Sequence, residues 1–208
     1  VATEIEMKLA FTGDYTEPGL PQLRDVLRQE GVDPLFKEAR LENAYFDTPD
    51  FQLHAAKVAL RIRKKWLAAD EVRFIQTLKT AGTSQNGLSQ RGEWEWLLST
   101  PDLDLPALRG CAAWPDSIKV DALQNIFETN FTRFACRVCW GGSLIELVLD
   151  WGEILSNNKT EPLHEIELEL KQGQTDDLLD LAGRLQQRLL VKPLDISKAE
   201  RGFGLFKR

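Results

Sequence analysis

Along most of this chain apolar and polar side chains alternate one by one. That period places successive side chains on opposite faces of a β-strand. Eight runs carry it, at residues 4–11, 41–46, 56–65, 71–80, 90–98, 131–140, 143–151 and 163–171. Trp140-Gly141-Gly142-Ser143 predicts a tight hairpin, because glycine accepts positive φ. The polar stretch 81–87 reads as a loop between two strands, and 101–115 as a loop excursion. Asp150-Trp151-Gly152-Glu153 reads as the start of a turn, with Glu153 on the surface. Helical spacing is rarer. Leu20, Leu23, Val26 and Leu27 share one face of a helix over 20–29 that stops at Gly31. A short helix is predicted over 120–127, a longer one over 175–190 capped by Thr175, and a last one over 197–202. Strand-helix-strand alternation is scarce, which argues against a doubly wound sheet. The expected fold is mainly β within the α+β class: a closed eight-stranded antiparallel barrel with flanking helices, large enough to hold a small ligand.

The polar faces of these strands are unusually rich in charge. Glu4, Glu6 and Lys8 share a parity, as do Arg61, Arg63 and Lys65. Arg73, Thr77 and Lys79 lie on one face, and so do Arg91, Glu93 and Glu95, opposite Trp94 and Trp96. Arg133 and Arg137 match, as do Glu146 and Asp150, and Glu165, Glu167, Glu169 and Lys171. These faces either meet solvent or line the inside of a closed sheet, and periodicity alone does not choose. Inside a barrel, unpaired charge costs several kcal/mol per group. Interior carboxylates would then hold a hard divalent cation, and interior arginines and lysines a polyvalent anion.

Composition narrows the function. The chain has 208 residues, 28% of them charged, with a net charge of -6 from 32 acidic and 26 basic side chains. That is the size of one domain, and the balance argues against a general nucleic-acid backbone binder. No run of 18 apolar residues occurs, so no membrane span is expected, and the acidic start is unlike a signal peptide. Three cysteines suggest a reducing, cytoplasmic setting. Cys136 and Cys139 form a CxxC spacing that a strand sends to opposite faces. Neither His54 nor His164 is placed like a metal cluster, and His164 has the parity opposite to Glu165. Trp94 and Trp96 are expected to pack between sheet and helix rather than to stack on bases.

Glu4-Ile5-Glu6-Met7-Lys8 matches the ExExK signature of the CYTH superfamily, the triphosphate tunnel metalloenzymes. Tyr45-Phe46-Asp47-Thr48-Pro49, Leu60-Arg61-Ile62-Arg63, Gln76-Thr77-Leu78-Lys79 and Arg91-Gly92-Glu93-Trp94-Glu95 resemble further family segments in family order. Glu146-Leu147-Val148-Leu149-Asp150, Glu165-Ile166-Glu167-Leu168-Glu169 and Ser197-Lys198-Ala199-Glu200-Arg201-Gly202 complete the resemblance over nearly the whole chain. It is nearest to the bacterial inorganic triphosphatases, whose CYTH domain usually precedes a histidine-rich helical CHAD domain. The expectation here is a single CYTH domain over 1–208 without CHAD.

The resemblance implies that the barrel takes a triphosphate into its lumen. It assigns Glu4, Glu6, Lys8, Glu165 and Glu167 to catalysis. Glu4, Glu6, Glu165 and Glu167 would hold metal, with Glu146, Asp150 and Glu169 as further ligands. Lys8, Arg61, Arg63, Lys79 and Arg133 would bind phosphate oxygens, while Arg91, Lys198 and Arg201, with Glu93 and Glu95, would shape the tunnel or orient the substrate. The implied reaction is hydrolysis of inorganic triphosphate to pyrophosphate and phosphate with Mg²⁺ or Mn²⁺, using two ions. Two alternatives stand beside it: a class IV-like adenylate cyclase or other nucleoside or thiamine triphosphatase, and a non-catalytic polyphosphate-binding module. No nucleic-acid or membrane partner is expected.

Overall fold

In the computed structural model, which describes residues 2–13, 15–67 and 71–207, the alternating runs form one continuous antiparallel sheet. Its strands are β1 (Ala2–Phe11), β2 (Lys37–Asp47), β3 (Ala59–Trp66), β4 (Val72–Gln85), β5 (Leu88–Leu98), β6 (Gln124–Trp140), β7 (Ser143–Ser156), β8 (Lys159–Gln172) and β9 (Val191–Pro193). The spatial order is β5-β4-β3-β2-β6-β7-β8-β1, and β1 also pairs with β5. That last pairing, Glu4 opposite Arg91, closes an eight-stranded barrel. The short β9 was not foreseen; it adds to the far end of β1, Ala10 opposite Lys192.

The barrel is apolar outside and charged inside. Met7, Leu9, Cys136, Val138, Ile145, Leu147, Leu149, Ile166 and Leu168 point outward and are buried. They pack against Leu23, Val26 and Leu27 of α1 (Leu20–Gln29) and Leu178, Leu181 and Leu185 of α4 (Thr175–Arg188). The opposite wall carries Leu60, Leu78, Trp94 and Trp96, covered by Leu53 of α2 (Gln52–Ala55), Leu108 of α3 (Leu105–Arg109), Trp114 and Ile118. The two tryptophans therefore serve sheet–helix packing, as expected. One end of the barrel is plugged by α5 (Lys198–Lys207), whose Phe203 and Leu205 pack with Tyr45, Phe127, Phe131, Ile154 and Leu163. Gly202 permits this seat, since a Cβ there would sit 2.1 Å from the Phe127 ring.

Several local expectations change. The stretch 81–87 is no loop: β4 and β5 continue into a two-residue hairpin at Asn86-Gly87, with φ of 52° and 83°. Both positive angles suit a type I′ turn, which matches the strand twist. Only Val120–Ala122 forms a single 3-10 turn, and residues 124–127 belong to β6, because pairing with β2 overrides a short apolar run. Gly152 starts no turn. It lies inside β7, where a Cβ would fall 2.2 Å from the Asn130 carbonyl oxygen, so it marks close strand approach. The turn comes later, at Asn157-Asn158. Residues 52–55 form α2, so β3 starts at Ala59 rather than at 56. The excursion at 101–115 contains α3, which covers the Trp94 and Trp96 wall. Thr175 is the first helical residue of α4 rather than its cap; Ser143 Oγ instead accepts the Gln174 N–H at 2.8 Å and donates to Asp177.

Candidate active site

Strand parity gathers the predicted residues. Tyr45 faces Arg61 across β2 and β3, Arg61 faces Thr77, Thr77 faces Glu95, and Lys79 faces Glu93. Across the barrel, Arg133 pairs with Asp150, Asp150 with Glu165, and Glu167 with Lys8. The enclosed cavity measures about 190 Å³. Seven carboxylates and eight lysine or arginine side chains line it. Glu4, Glu6, Glu146, Glu167 and Glu169 are on its wall, with Lys8, Arg61, Arg63, Lys79, Arg91, Arg133 and Lys198. Asp150 and Glu165 lie behind that wall, at 0% exposure. Arg201 stays behind Glu165 (3.3 Å), tied also to Glu161 at 2.8 Å.

Three groupings divide the lumen. In the first, Asp150, Glu165 and Glu167 present oxygens within 4.8 Å of one another. Lys198 Nζ reaches all three, 2.9 Å from Asp150, 2.7 Å from Glu167 and in a very short contact with Glu165. Arg133 binds Asp150 through two parallel bonds of 2.7 Å and donates to Glu167 at 2.8 Å. Burial pushes Glu165 up in spite of Lys198. Burial would also raise Glu167, but Lys198, Arg133 and Lys8 together hold it well below the carboxylate range.

The second grouping lies on β1. Glu4, 6% exposed, receives Lys79 Nζ at 2.8 and 2.9 Å and Arg91 Nε at 2.9 Å. Glu6 lies deeper, and its Oε1 has no hydrogen-bond partner; Lys8 Nζ stands 3.4 Å away. The third grouping is β3. Arg63 Nε donates to Asn43 Oδ1 at 2.8 Å, and Asn43 is in turn fixed by Thr129. Arg61 reaches only the Tyr45 hydroxyl, at 3.5 Å, and its Nε has no partner. Neither arginine forms an ion pair among the described residues. Burial and the neighbouring Arg61 and Arg133 charges push Arg63 down to about 9. Two enclosed arginines that form no ion pair among the described residues have room for an anion between them.

Burial raises the carboxyl pKa of Glu4, yet Lys79 and Arg91 outweigh it and hold the group at about 2. The stability it contributes is complete above its unfolded value near 4.5 and is lost as pH falls through about 2. The shift corresponds to on the order of 3 kcal/mol. Wild-type thermal stability should therefore fall more steeply than that of Glu4→Gln between about pH 5 and about pH 3. Parallel curves would remove Glu4 from this role.

Some contributors were not singled out from the sequence. Tyr45 lines the cavity, and burial is outweighed by Arg61, Arg63 and Lys198, which lower its phenol. Asn43 positions Arg63; its parity with Tyr45 on β2 was the available signal. Asp47 is fully buried and accepts the backbone N–H groups of Thr48, Leu53 and His54, which organises the turn into α2. His164 faces away from the lumen, stacked on Phe11 at 3.8 Å. Cys136 is buried and Cys139 exposed, as opposite strand faces require. No helix among the described residues is long and apolar enough to cross a membrane.

A closed barrel with a charged lumen and a helical plug defines a tunnel protein, and the CYTH domain model matches residues 2–203. The chain belongs to the CYTH family. It is 34% identical over 206 residues to the inorganic triphosphatase of Haemophilus influenzae, covering 97% of this chain and 54% of that relative. The chain thus spans about half that relative's length. Among solved structures, a candidate adenylyl cyclase from Hippeastrum with a dominant triphosphatase activity superposes with a TM-score of 0.63 at 20% identity, over 98% of this chain and 95% of that one. A candidate adenylate cyclase from Bacillus halodurans gives a TM-score of 0.54 at 22% identity, over 98% of this chain and all of that one. Both likenesses bear on the fold.

Proposed function

We propose that this chain hydrolyses inorganic triphosphate to pyrophosphate and phosphate inside the tunnel, with Mg²⁺ or Mn²⁺. The observation that carries this reading is the meeting, in one cavity, of two arginines that form no ion pair among the described residues with a buried carboxylate oxygen that accepts no hydrogen bond. The donor set is all carboxylate oxygen, which suits a hard divalent cation, and the open valence on Glu6 gives such an ion a place. Glu4, Glu6 and Glu167 would hold it, with Glu146 and Glu169 on the cavity wall available for a second, while Asp150 and Glu165 lie behind that wall. Charge balance supports two ions. The lining is close to neutral on its own, while a triphosphate brings about four to five negative charges near neutral pH.

A bound divalent ion supplies charge neutralisation on phosphate oxygens and a more acidic water. The protein side chains do the rest. Arg61 and Arg63 grip phosphate oxygens from β3, while Lys8, Lys79, Arg91 and Arg133 close on the chain from the other walls. Water attacks the terminal phosphorus, and the bond from that phosphorus to the bridging oxygen breaks. The bond electrons leave with pyrophosphate, and the cations stabilise the charge that develops there. A lumen carboxylate takes the water proton. Lys198 and Arg201 orient the carboxylates, Lys198 by reaching Asp150, Glu165 and Glu167 and Arg201 by reaching Glu161 and Glu165.

One observation favours a second reading, nucleotide chemistry. A further cavity of about 490 Å³ adjoins the first, sharing Lys8, Lys79 and Arg91 and reaching His54, Lys57 and Phe203. It has room for an organic group carried on a triphosphate. The test is product analysis with inorganic triphosphate, pyrophosphate, thiamine triphosphate and ATP, each with metal and with EDTA. Rapid metal-dependent release of pyrophosphate and phosphate from triphosphate, with slow use of ATP, is expected. Cyclic AMP from ATP would shift the assignment to a cyclase, and tight binding without turnover would make the tunnel a polyphosphate receptor.

A further inference from the structure

The two arginines on β3 are free to receive an anion, but the cations facing them are not. Lys79 bonds both oxygens of Glu4 and also lies 3.1 Å from Glu93. Arg91 bonds Glu4 and stands 3.8 Å from Glu6. All of these groups except Glu93 are also groups that metal or triphosphate would need. In this arrangement half of the anion receptor is closed by Glu4, and Glu4 is closed to metal by Lys79 and Arg91.

We propose that Glu4 is a resident anion for Lys79 and Arg91, so that a divalent cation at Glu4 and Glu6 releases those two side chains to the triphosphate. This rests on the triphosphatase reading and adds the form in which the substrate is taken: metal and triphosphate together, each opening the site for the other. A triphosphate arriving alone meets Arg61 and Arg63 but must displace Glu4 to reach Lys79 and Arg91, leaving a buried carboxylate without counter-ion. A cation arriving alone must displace an ammonium and a guanidinium, which leaves Lys79 with Glu93 as its remaining carboxylate and takes from Arg91 both of its carboxylate contacts. When both arrive, every displaced group gains a new partner of opposite charge. Binding is then positively coupled, and the coupling is reciprocal: triphosphate tightens metal binding by the same factor as metal tightens triphosphate binding.

The experiment is calorimetric titration of the whole chain with a nitrogen-bridged, non-hydrolysable triphosphate, in EDTA and in Mg²⁺, with Mn²⁺ binding followed by electron paramagnetic resonance in the presence and absence of that compound. In the wild type, Mg²⁺ should tighten the analogue at least tenfold, and the analogue should likewise tighten Mn²⁺ binding at least tenfold. Glu4→Gln, checked for folding by circular dichroism, should bind the analogue in EDTA at least tenfold more tightly than the wild type does, because Lys79 and Arg91 are released. Its remaining gain from Mg²⁺ should be under threefold. Glu153→Gln removes an exposed negative charge outside the cavity lining, and should change metal-free binding less than threefold. Equal wild-type affinity with and without metal overturns the proposal, as does metal-free binding by folded Glu4→Gln no tighter than wild type or matched by Glu153→Gln. If Glu4→Gln does not fold, the wild-type comparison still decides. Failure of the analogue to bind even with Mg²⁺ would instead count against the triphosphatase reading itself.

Discussion

Glu6→Gln is expected to lower turnover of saturating triphosphate by a factor on the order of 10³ while leaving the fold intact. The exchange keeps size and shape but removes the charge that an oxygen ligand needs to hold a hard cation. Glu6 is 4% exposed, and its Oε1 accepts no hydrogen bond, with Lys8 Nζ at 3.4 Å and Arg91 at 3.8 Å. Ion contacts of that length hold the oxygen less firmly than hydrogen bonds would and leave it open to a cation that enters. The fold should therefore tolerate the amide, with a change in melting temperature of no more than a few degrees. Steady-state phosphate release beside a thermal melt separates the two effects. Near-normal metal-dependent turnover in folded Glu6→Gln protein would sink the role given to this residue.

The opposite pattern is expected for Asp150→Ala. Asp150 is fully buried, and both of its oxygens are used, by two bonds from Arg133 and one contact from Lys198. Removing it leaves two buried cations short of a partner, which costs about 3–5 kcal/mol. For a domain of this length that corresponds to a fall of roughly 10 °C in melting temperature. Lys198→Met removes one of the orphaned cations, so the double variant should recover part of the loss, and a double-mutant cycle measures how much. A fall of under about 2 °C for Asp150→Ala would mean that this cluster does not hold the plug helix and the barrel wall together.

These two residues also mark how far the sequence could be read. Period-two alternation located every barrel strand, and dense charge on one face of strand after strand fitted a polar lumen. Alternation does not say which face is inside. Closure decides that, through the pairing of β1 with β5, and no local signal encodes a contact between residues 4 and 91. Glu6 and Asp150 were both expected to touch metal. Their environments differ because Lys198, nearly fifty residues beyond Asp150, arrives on a helix whose seat depends on Gly202 and Phe127. The pairings of Lys198 and Arg201 were illegible for the same reason: parity applies within a strand, not between a strand and a docking helix. The local misreadings have local causes. Asn86-Gly87 reads as polar loop until both residues adopt positive φ, and Gly152 reads as a turn although the β6 backbone is what fills the space of its missing side chain.

Hydrolysis of triphosphate in isotopically labelled water, followed by phosphorus NMR, reads both the bond that breaks and the need for metal. With wild-type protein and Mg²⁺, triphosphate should disappear as equal amounts of pyrophosphate and orthophosphate form, with oxygen-18 from water carried by the orthophosphate. EDTA should stop the reaction. Triphosphate that persists in the presence of metal, or conversion that continues unchanged in EDTA, would rule out metal-dependent triphosphate hydrolysis in this tunnel.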